Sequence, residues 1–316
     1  MKPSVQPERF RLVQLSNGTF SVHADAYGEK MHPGLGPAAE AEQLYVRQLK
    51  IRERMKTGTG GFVVWDVGLG AAANALTLLR LTRDLPRPLR LVSFDDTSGP
   101  LEFALAHAQQ LGYFHEYKKT ARNLLAQRSI EFTDDLRQVK WDFHLGDFPA
   151  WLAQSVNRRS VGVQALACPG NRLKPELQRE HHVNVVSVAP HAIFFDAFSP
   201  AKNPAMWTLP LFTNLFQYLD PQRPCSLTTY SRSTMFRVTL LLAGFFVGRG
   251  VATGPKEETT VAANSLELID SPLDRRWLER ARCSDSAEPL TEPFYRKAPL
   301  TAESWEKLRA HPQFNS

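Results

Sequence analysis

The chain has 316 residues, 43% of them hydrophobic, with 38 Lys and Arg against 32 Asp and Glu, a formal charge of +6 and a pI near 9.3. That is enough apolar material for one large core. No apolar run approaches the roughly 18 to 20 residues of a membrane helix, and the opening MKPSVQPERF has no apolar secretory region. Cys168, Cys225 and Cys283 stand too far apart for a disulfide framework or a metal cluster, so the expectation is a reduced, cytoplasmic protein without a metal. The basic balance admits a nucleic-acid partner without requiring one.

In chain order, residues 10 to 23 alternate around Asn17-Gly18, which predicts a two-stranded ribbon outside the main sheet. A Gly/Pro-rich loop follows from Tyr27 to Pro37. It is either a plain surface loop or a wall in which Tyr27, Glu29 and His32 face a substrate. Helical spacing from Ala38 to Met55 predicts one amphipathic helix. Gly61 to Arg90 reads as strand, turn and helix, with Asp66, Gly68 and Gly70 in the turn. Glycines there allow a sharp turn and close approach of a ligand to a helix N-terminus.

The next strand, Arg90 to Asp96, ends in acid. Asp95 is placed to bind ribose hydroxyls or to cap the helix that begins near Pro100. A helix is expected from Leu101 to Leu111, then a basic segment with Lys118, Lys119, Arg122 and Arg128 that touches phosphates or forms a solvated face. Trp141 to Phe148 reads as a third strand, in which Asp147 meets an adenine amino group or caps a helix. Between 157 and 189 the pattern lapses, and the interval reads as an insertion whose His181-His182 pair is exposed.

The stretch PHAIFFDAFSPAKNPAMW, Pro190 to Trp207, is a short apolar strand, Asp196 and a stiff polar loop. In an open α/β sheet ligands sit at such strand ends. Beyond it come a helix from 206 to 219, a strand from 225 to 230, a helix capped at Ser231 to Ser233, and an antiparallel pair at 244 to 250 and 258 to 263. Past Asp270 the chain becomes polar, with helical pieces at 275 to 282 and 302 to 309 and no core pattern, and is expected as a wrapped tail. Alternating strands and helices imply a doubly wound α/β sheet. The layout is an N-terminal extension (1–56), a central domain (57–270) and a C-terminal tail (271–316).

Asp66-Val-Gly-Leu-Gly70, Asp95, Gly146-Asp147 and Asp196 resemble a class I S-adenosylmethionine-dependent methyltransferase. Asp196-Ala-Phe-Ser-Pro-Ala-Lys-Asn-Pro-Ala-Met-Trp207, with Leu227 to Ser231 and Gly244-Phe245, is similar to the methyltransferase half of the MnmC-type tRNA 5-methylaminomethyl-2-thiouridine biosynthesis enzymes. The likeness covers roughly Tyr27 to Ala263. It implies a mostly parallel, seven-stranded Rossmann-like sheet and S-adenosyl-L-methionine as cofactor. The residues it implies for the cofactor are Asp66, Gly68, Gly70, Asp95, Asp147 and Asp196.

The resemblance further implies N-methylation of the aminomethyl group on a tRNA wobble uridine. Asp196 would orient the amine and relay its proton, Lys202 would touch a phosphate or brace the loop, and Asn203 would bond the base or the backbone. Pro200 and Pro204 stiffen the loop. Tyr27, Glu29, His32, Pro200, Trp207, Tyr230 and Ser231 form the acceptor side. No second Gly-rich unit for an FAD-binding oxidase is present in this sequence, so a separate oxidase or other upstream tRNA-modifying enzyme would supply the substrate. The Asp95-Asp96 pair, where relatives often have a single glutamate, and the 157–189 interval depart from the family pattern. Two other readings stay open: a methyltransferase or aminopropyltransferase-like enzyme on a small amine or protein, and a cofactor-binding module without turnover.

Overall fold

A computed structural model describes residues 9–32, 34–167, 189–253 and 257–315. Strands β1 (Phe10–Gln14) and β2 (Phe20–Ala24) pair antiparallel around Asn17, whose side chain accepts from Thr19 N and donates to Leu35 O. A third strand, β3 (Glu29–Lys30), joins β2. The ribbon is therefore three-stranded, and part of the expected loop is strand.

The single helix expected from Ala38 to Met55 is broken. Helix α1 (Pro37–Ala41) runs into a wider π-type turn over Glu42–Arg47, and Lys50 takes a left-handed φ of 50° before α2 (Ile51–Thr57). Gln48 turns away to bond the Thr228 hydroxyl and the Val251 amide. Such π turns recur at functional sites, and this one carries the buried Tyr45.

Strand β4 (Phe62–Val67) is buried along its whole length, as a strand covered on both faces must be. There follow α3 (Ala73–Thr82), β5 (Leu89–Asp95), α4 (Gly99–Ala106), α5 (Ala108–Leu111), α6 (Lys118–Gln127), β6 (Ser129–Asp134), β7 (Arg137–Leu145) and α7 (Phe148–Ala167). Then come β8 (Ala192–Phe195), α8 (Leu209–Tyr218), β9 (Ser226–Thr229), α9 (Thr234–Leu242), β10 (Phe246–Gly250) and β11 (Thr259–Ala263). The chain ends in α10 (Arg275–Arg282) and α11 (Ala302–Arg309).

The main sheet has the order β10-β11-β9-β8-β4-β5-β7-β6. Its centre, β9-β8-β4-β5-β7, is parallel, while β6 and β11 pair antiparallel with their inner neighbours. Eight strands stand where seven were expected. The extra one is β6, joined to β7 by the two residues Asp135 and Leu136, with Asp135 at φ 55°. Lys118 to Arg128 disguised it, because a polar edge strand beside a basic helix shows little apolar alternation.

Successive β4 side chains enter opposite cores: Phe62 and Val64 one, Val63, Trp65 and Val67 the other. The second core also contains Trp277, Leu278, Ala281, Leu290, Leu308 and Phe314. The C-terminal segment is thus built into the domain and does contribute core, against the expectation. Its apolar residues are spread over short helices and turns, too sparsely for a periodic signal. Residues 157–167 continue α7, while the rest of the interval through 188, with Cys168, His181 and His182, lies outside the described residues. No described helix is long and apolar enough to cross a membrane.

Candidate active site

The direction of neighbouring strands diverges at β4, with β5 and β7 on one side and β8 and β9 on the other. At the carboxyl ends beside that switch point lies a cavity of about 580 Å³, the place where open α/β sheets bind ligands.

One wall is the turn after β4. Gly68 has φ +94°, and a Cβ added there would stand 2.8 Å from the Asp196 carbonyl oxygen. Only glycine lets the two loops meet this closely. Gly70 N donates to Asp95 Oδ2 at 2.8 Å, and Thr97 N to Asp95 Oδ1 at 3.2 Å. Burial pushes the Asp95 carboxyl up to about 7, assisted by neighbouring Asp96 and opposed by the two amides. Asp147 lines the cavity and also caps α7, accepting from Ala150 N at 2.8 Å. Its two sequence readings are compatible.

Asp66 does not line the cavity. It is fully buried below the floor, accepts from Ser93 Oγ at 3.0 Å and leaves Oδ1 unbonded. Burial, then the charges of Asp196 and Asp95, raise its pKa well above the ordinary carboxylate value.

The opposite wall is the loop after β8. Asn74, in the first turn of α3, donates to Asp196 Oδ2 at 2.8 Å, and His32 Nε2 stands 3.6 Å from the same oxygen. Glu29 accepts from Ser199 N at 3.1 Å and from its hydroxyl. Tyr27 stacks on Phe198 with ring centroids 4.0 Å apart, and Tyr230 donates to Ala197 O at 2.9 Å. Tyr45 lies buried within the field of Asp196. Burial first, and then that carboxylate, raise its phenol well above the ordinary value.

Tyr27, Glu29, His32, Asn203 and Tyr230 join Asp196 at the cavity. Pro200, Lys202, Trp207 and Ser231 are not among its lining residues. Trp207 is fully buried and donates its indole N–H to Phe198 O at 2.7 Å, so it holds the loop from behind. Ser231 accepts from Ser233 N at 3.3 Å ahead of α9. Pro200 and the exposed Lys202 belong to a turn in which Lys202 N and Asn203 N both bond Ser199 O at 2.8 Å. Sequence reasoning missed Asn74, Glu40 and Met31. Asn74 left a signal, a lone amide in the Ala/Leu run of α3, since such a group inside a buried helix requires a partner.

The donor set fits S-adenosyl-L-methionine: a glycine cradle that a Cβ would fill, a carboxylate at the end of β5, and apolar sides including Met31, Phe148 and Pro149. Among the described residues no cluster able to hold a metal ion is present.

Residues 122–265 match a family of S-adenosyl-L-methionine-dependent methyltransferases. The tRNA 5-methylaminomethyl-2-thiouridine biosynthesis bifunctional protein MnmC of Methylibium petroleiphilum is 28% identical over 260 residues, which is 80% of this chain and 34% of that protein. Its counterpart in Maricaulis maris is 26% identical over 253 residues, 79% of this chain and 38% of that one. The chain thus spans little more than a third of either relative. The crystal structure of MNMC2 from Aquifex aeolicus shares the fold, with a TM-score of 0.64 at 20% identity over 96% of this chain and 84% of that one. Sequence match, sheet order and glycine turn agree: residues 122–265 fit a family of S-adenosyl-L-methionine-dependent methyltransferases, and over most of its length the chain is similar to the MnmC proteins.

Proposed function

We propose that this domain methylates the aminomethyl nitrogen of 5-aminomethyl-2-thiouridine at the wobble position of tRNA. The observation that carries the reading is the Asp196 carboxylate, fixed by Asn74 and set at the cavity against the glycine turn. The names of the MnmC relatives supply the acceptor.

Gly68 and Gly70 would hold the methionyl portion of the cofactor, Asp95 the ribose and Asp147 the adenine. Bound there, S-adenosyl-L-methionine supplies a methyl group already activated by its sulfonium. The remaining task is to align an amine with that methyl and free its lone pair. An alkylamine is protonated in neutral water, and the acidic wall of Glu29, Glu40 and Asp196 attracts it in that form. Asp196 orients the nitrogen and takes its proton. Asn203 bonds the base at the rim, and Lys202, exposed at the turn, meets a tRNA phosphate. Residues 57–270, completed at the cavity by Glu29 and Glu40 of the N-terminal segment, form the catalytic unit in the cytoplasm, and an oxidase or another tRNA-modifying activity supplies the aminomethyl intermediate.

The test is incubation with methyl-labelled cofactor and tRNA bearing the aminomethyl nucleoside. Label in the methylaminomethyl nucleoside is expected, with a rate at low tRNA concentration that falls steeply with salt. Absence of labelled nucleoside sinks the proposal, and transfer to free alkylamines with a flat salt response redirects it to a small acceptor.

A further inference from the structure

We propose that His32 relays the proton the substrate amine must lose, acting through Asp196. The inference rests on the reading of the acceptor as an alkylamine. Three distant segments converge on the Asp196 carboxylate: the end of the N-terminal sheet with His32, the first turn of α3 with Asn74, and the loop after β8. His32 Nε2 and Asn74 Nδ2 both address Oδ2, at 3.6 and 2.8 Å. The His32 side chain is only 9% exposed and lines the cavity.

The His32 backbone has φ 53°, a left-handed conformation unfavourable for a residue that bears a side chain. Such a residue persists where its surroundings hold it. Asn74 can donate to the carboxylate but cannot take up a proton, whereas an imidazole exchanges one near neutrality. The other titratable groups of this wall are otherwise engaged. Glu29 holds Ser199, and Glu40 accepts from Gly34 N at 3.3 Å. The phenols of Tyr45 and Tyr230 are raised well above their ordinary range, by burial first and then by Asp196. Lys30 is an exposed strand residue.

The ammonium gives one N–H proton to the Asp196 carboxylate, and the proton passes from Oδ2 to Nε2 of His32. The Nδ1–H then releases a proton toward solvent. The freed lone pair forms the N–C bond while the donor's S–C bond breaks, its electron pair remaining on sulfur. The product leaves as a secondary ammonium, with one proton released in total.

The test is His32→Gly, chosen because glycine occupies φ 53° without strain, assayed on aminomethyl tRNA with and without added imidazole. kcat is expected to fall about 100-fold, with the cofactor Kd and tRNA KM within about threefold. Imidazole should restore part of kcat in proportion to its neutral form between about pH 6 and 8. His32→Gln retains a donor to Asp196 without a proton acceptor, and should be equally slow and beyond rescue. Undiminished kcat in either variant overturns the relay, as does a loss in His32→Gly that imidazole leaves unchanged at every pH. No transfer by the unaltered protein overturns the acceptor reading and the relay together.

Discussion

The two walls of the cavity are built on opposite principles. The proposed cofactor wall consists of strand-turn-helix units, in which backbone amides and glycines do the holding: Gly68 N to Phe94 O at 2.9 Å, Gly70 N to Asp95 at 2.8 Å, Gly146 N to Asp95 O at 2.8 Å. The proposed acceptor wall is held by side chains reaching across the fold. Asn74 meets Asp196 over 122 positions, Glu29 meets Ser199 over 170, and Tyr27, Tyr230 and Trp207 pin the loop between them. A backbone cradle accepts any ligand of the right shape, while a side-chain assembly can be altered one residue at a time. On the proposed assignment, cofactor binding and acceptor choice would therefore be separable, except where the walls touch.

They touch at Gly68, so Gly68→Ala is expected to have the largest effect. A Cβ at 2.8 Å from the Asp196 carbonyl oxygen and 3.0 Å from its carbon must move one loop, and φ +94° adds its own strain. The left-handed conformation alone costs roughly 1–2 kcal/mol. Cofactor affinity should drop at least about 100-fold by calorimetric titration, or about 2.7 kcal/mol, and Tm should fall by several degrees. Wild-type affinity in this variant would mean the loops do not share a boundary.

Asn74→Leu should sharpen the distinction. It removes a hydrogen bond to a charged group, worth about 1.5–3 kcal/mol, by which the first turn of α3 reaches the Asp196 carboxylate. Methyl transfer should lose roughly 10- to 150-fold in kcat/KM, with cofactor Kd within about twofold. Equal losses in binding and turnover would show that the walls are coupled beyond Gly68.

The same division explains what was legible in the sequence. Asp95, Gly68 and Gly70 could be read because strand, turn and helix are local patterns, and the polar loop after Phe195 announced itself by its prolines. Asp66 was placed at the ligand because the acid of the turn is close to it in sequence. Strand alternation turns that side chain under the floor, where burial raises its pKa. Trp207 was read as a contact because it ends the loop, yet its indole packs inward. The pairing of His32 and Asn74 with Asp196 had no local signature, since it depends on how the N-terminal sheet and α3 dock onto the main sheet. Strand β6 and the core residues of the C-terminal segment were hidden for a related reason: each is short, and its burial is decided by distant partners.

The smallest expected effect concerns the cost of the cofactor wall to the empty domain. Burial raises Asp95 from 3.8 to about 7, so between about pH 4 and 7 the folded chain holds a proton that the unfolded chain has released. Stability therefore declines as pH rises through that window, and the penalty is complete above pH 7. Asp95→Asn keeps an oxygen to accept from Gly70 N but carries no charge, so without cofactor its Tm should exceed that of the unaltered protein above pH 7 and converge with it near pH 4. Binding should move the other way. If the ionised carboxylate holds the ribose hydroxyls, wild-type cofactor affinity rises as pH passes through about 7, and the variant should bind roughly tenfold more weakly at pH 8 and nearly equally at pH 6. A variant less stable than the unaltered protein at pH 8 would show that the two amide contacts outweigh desolvation of the charge. Cofactor affinity independent of pH in both proteins would remove Asp95 from the ribose. The latter result would leave the glycine turn and Asp147 to hold the cofactor, and would make the contrast between a backbone wall and a side-chain wall sharper than it stands.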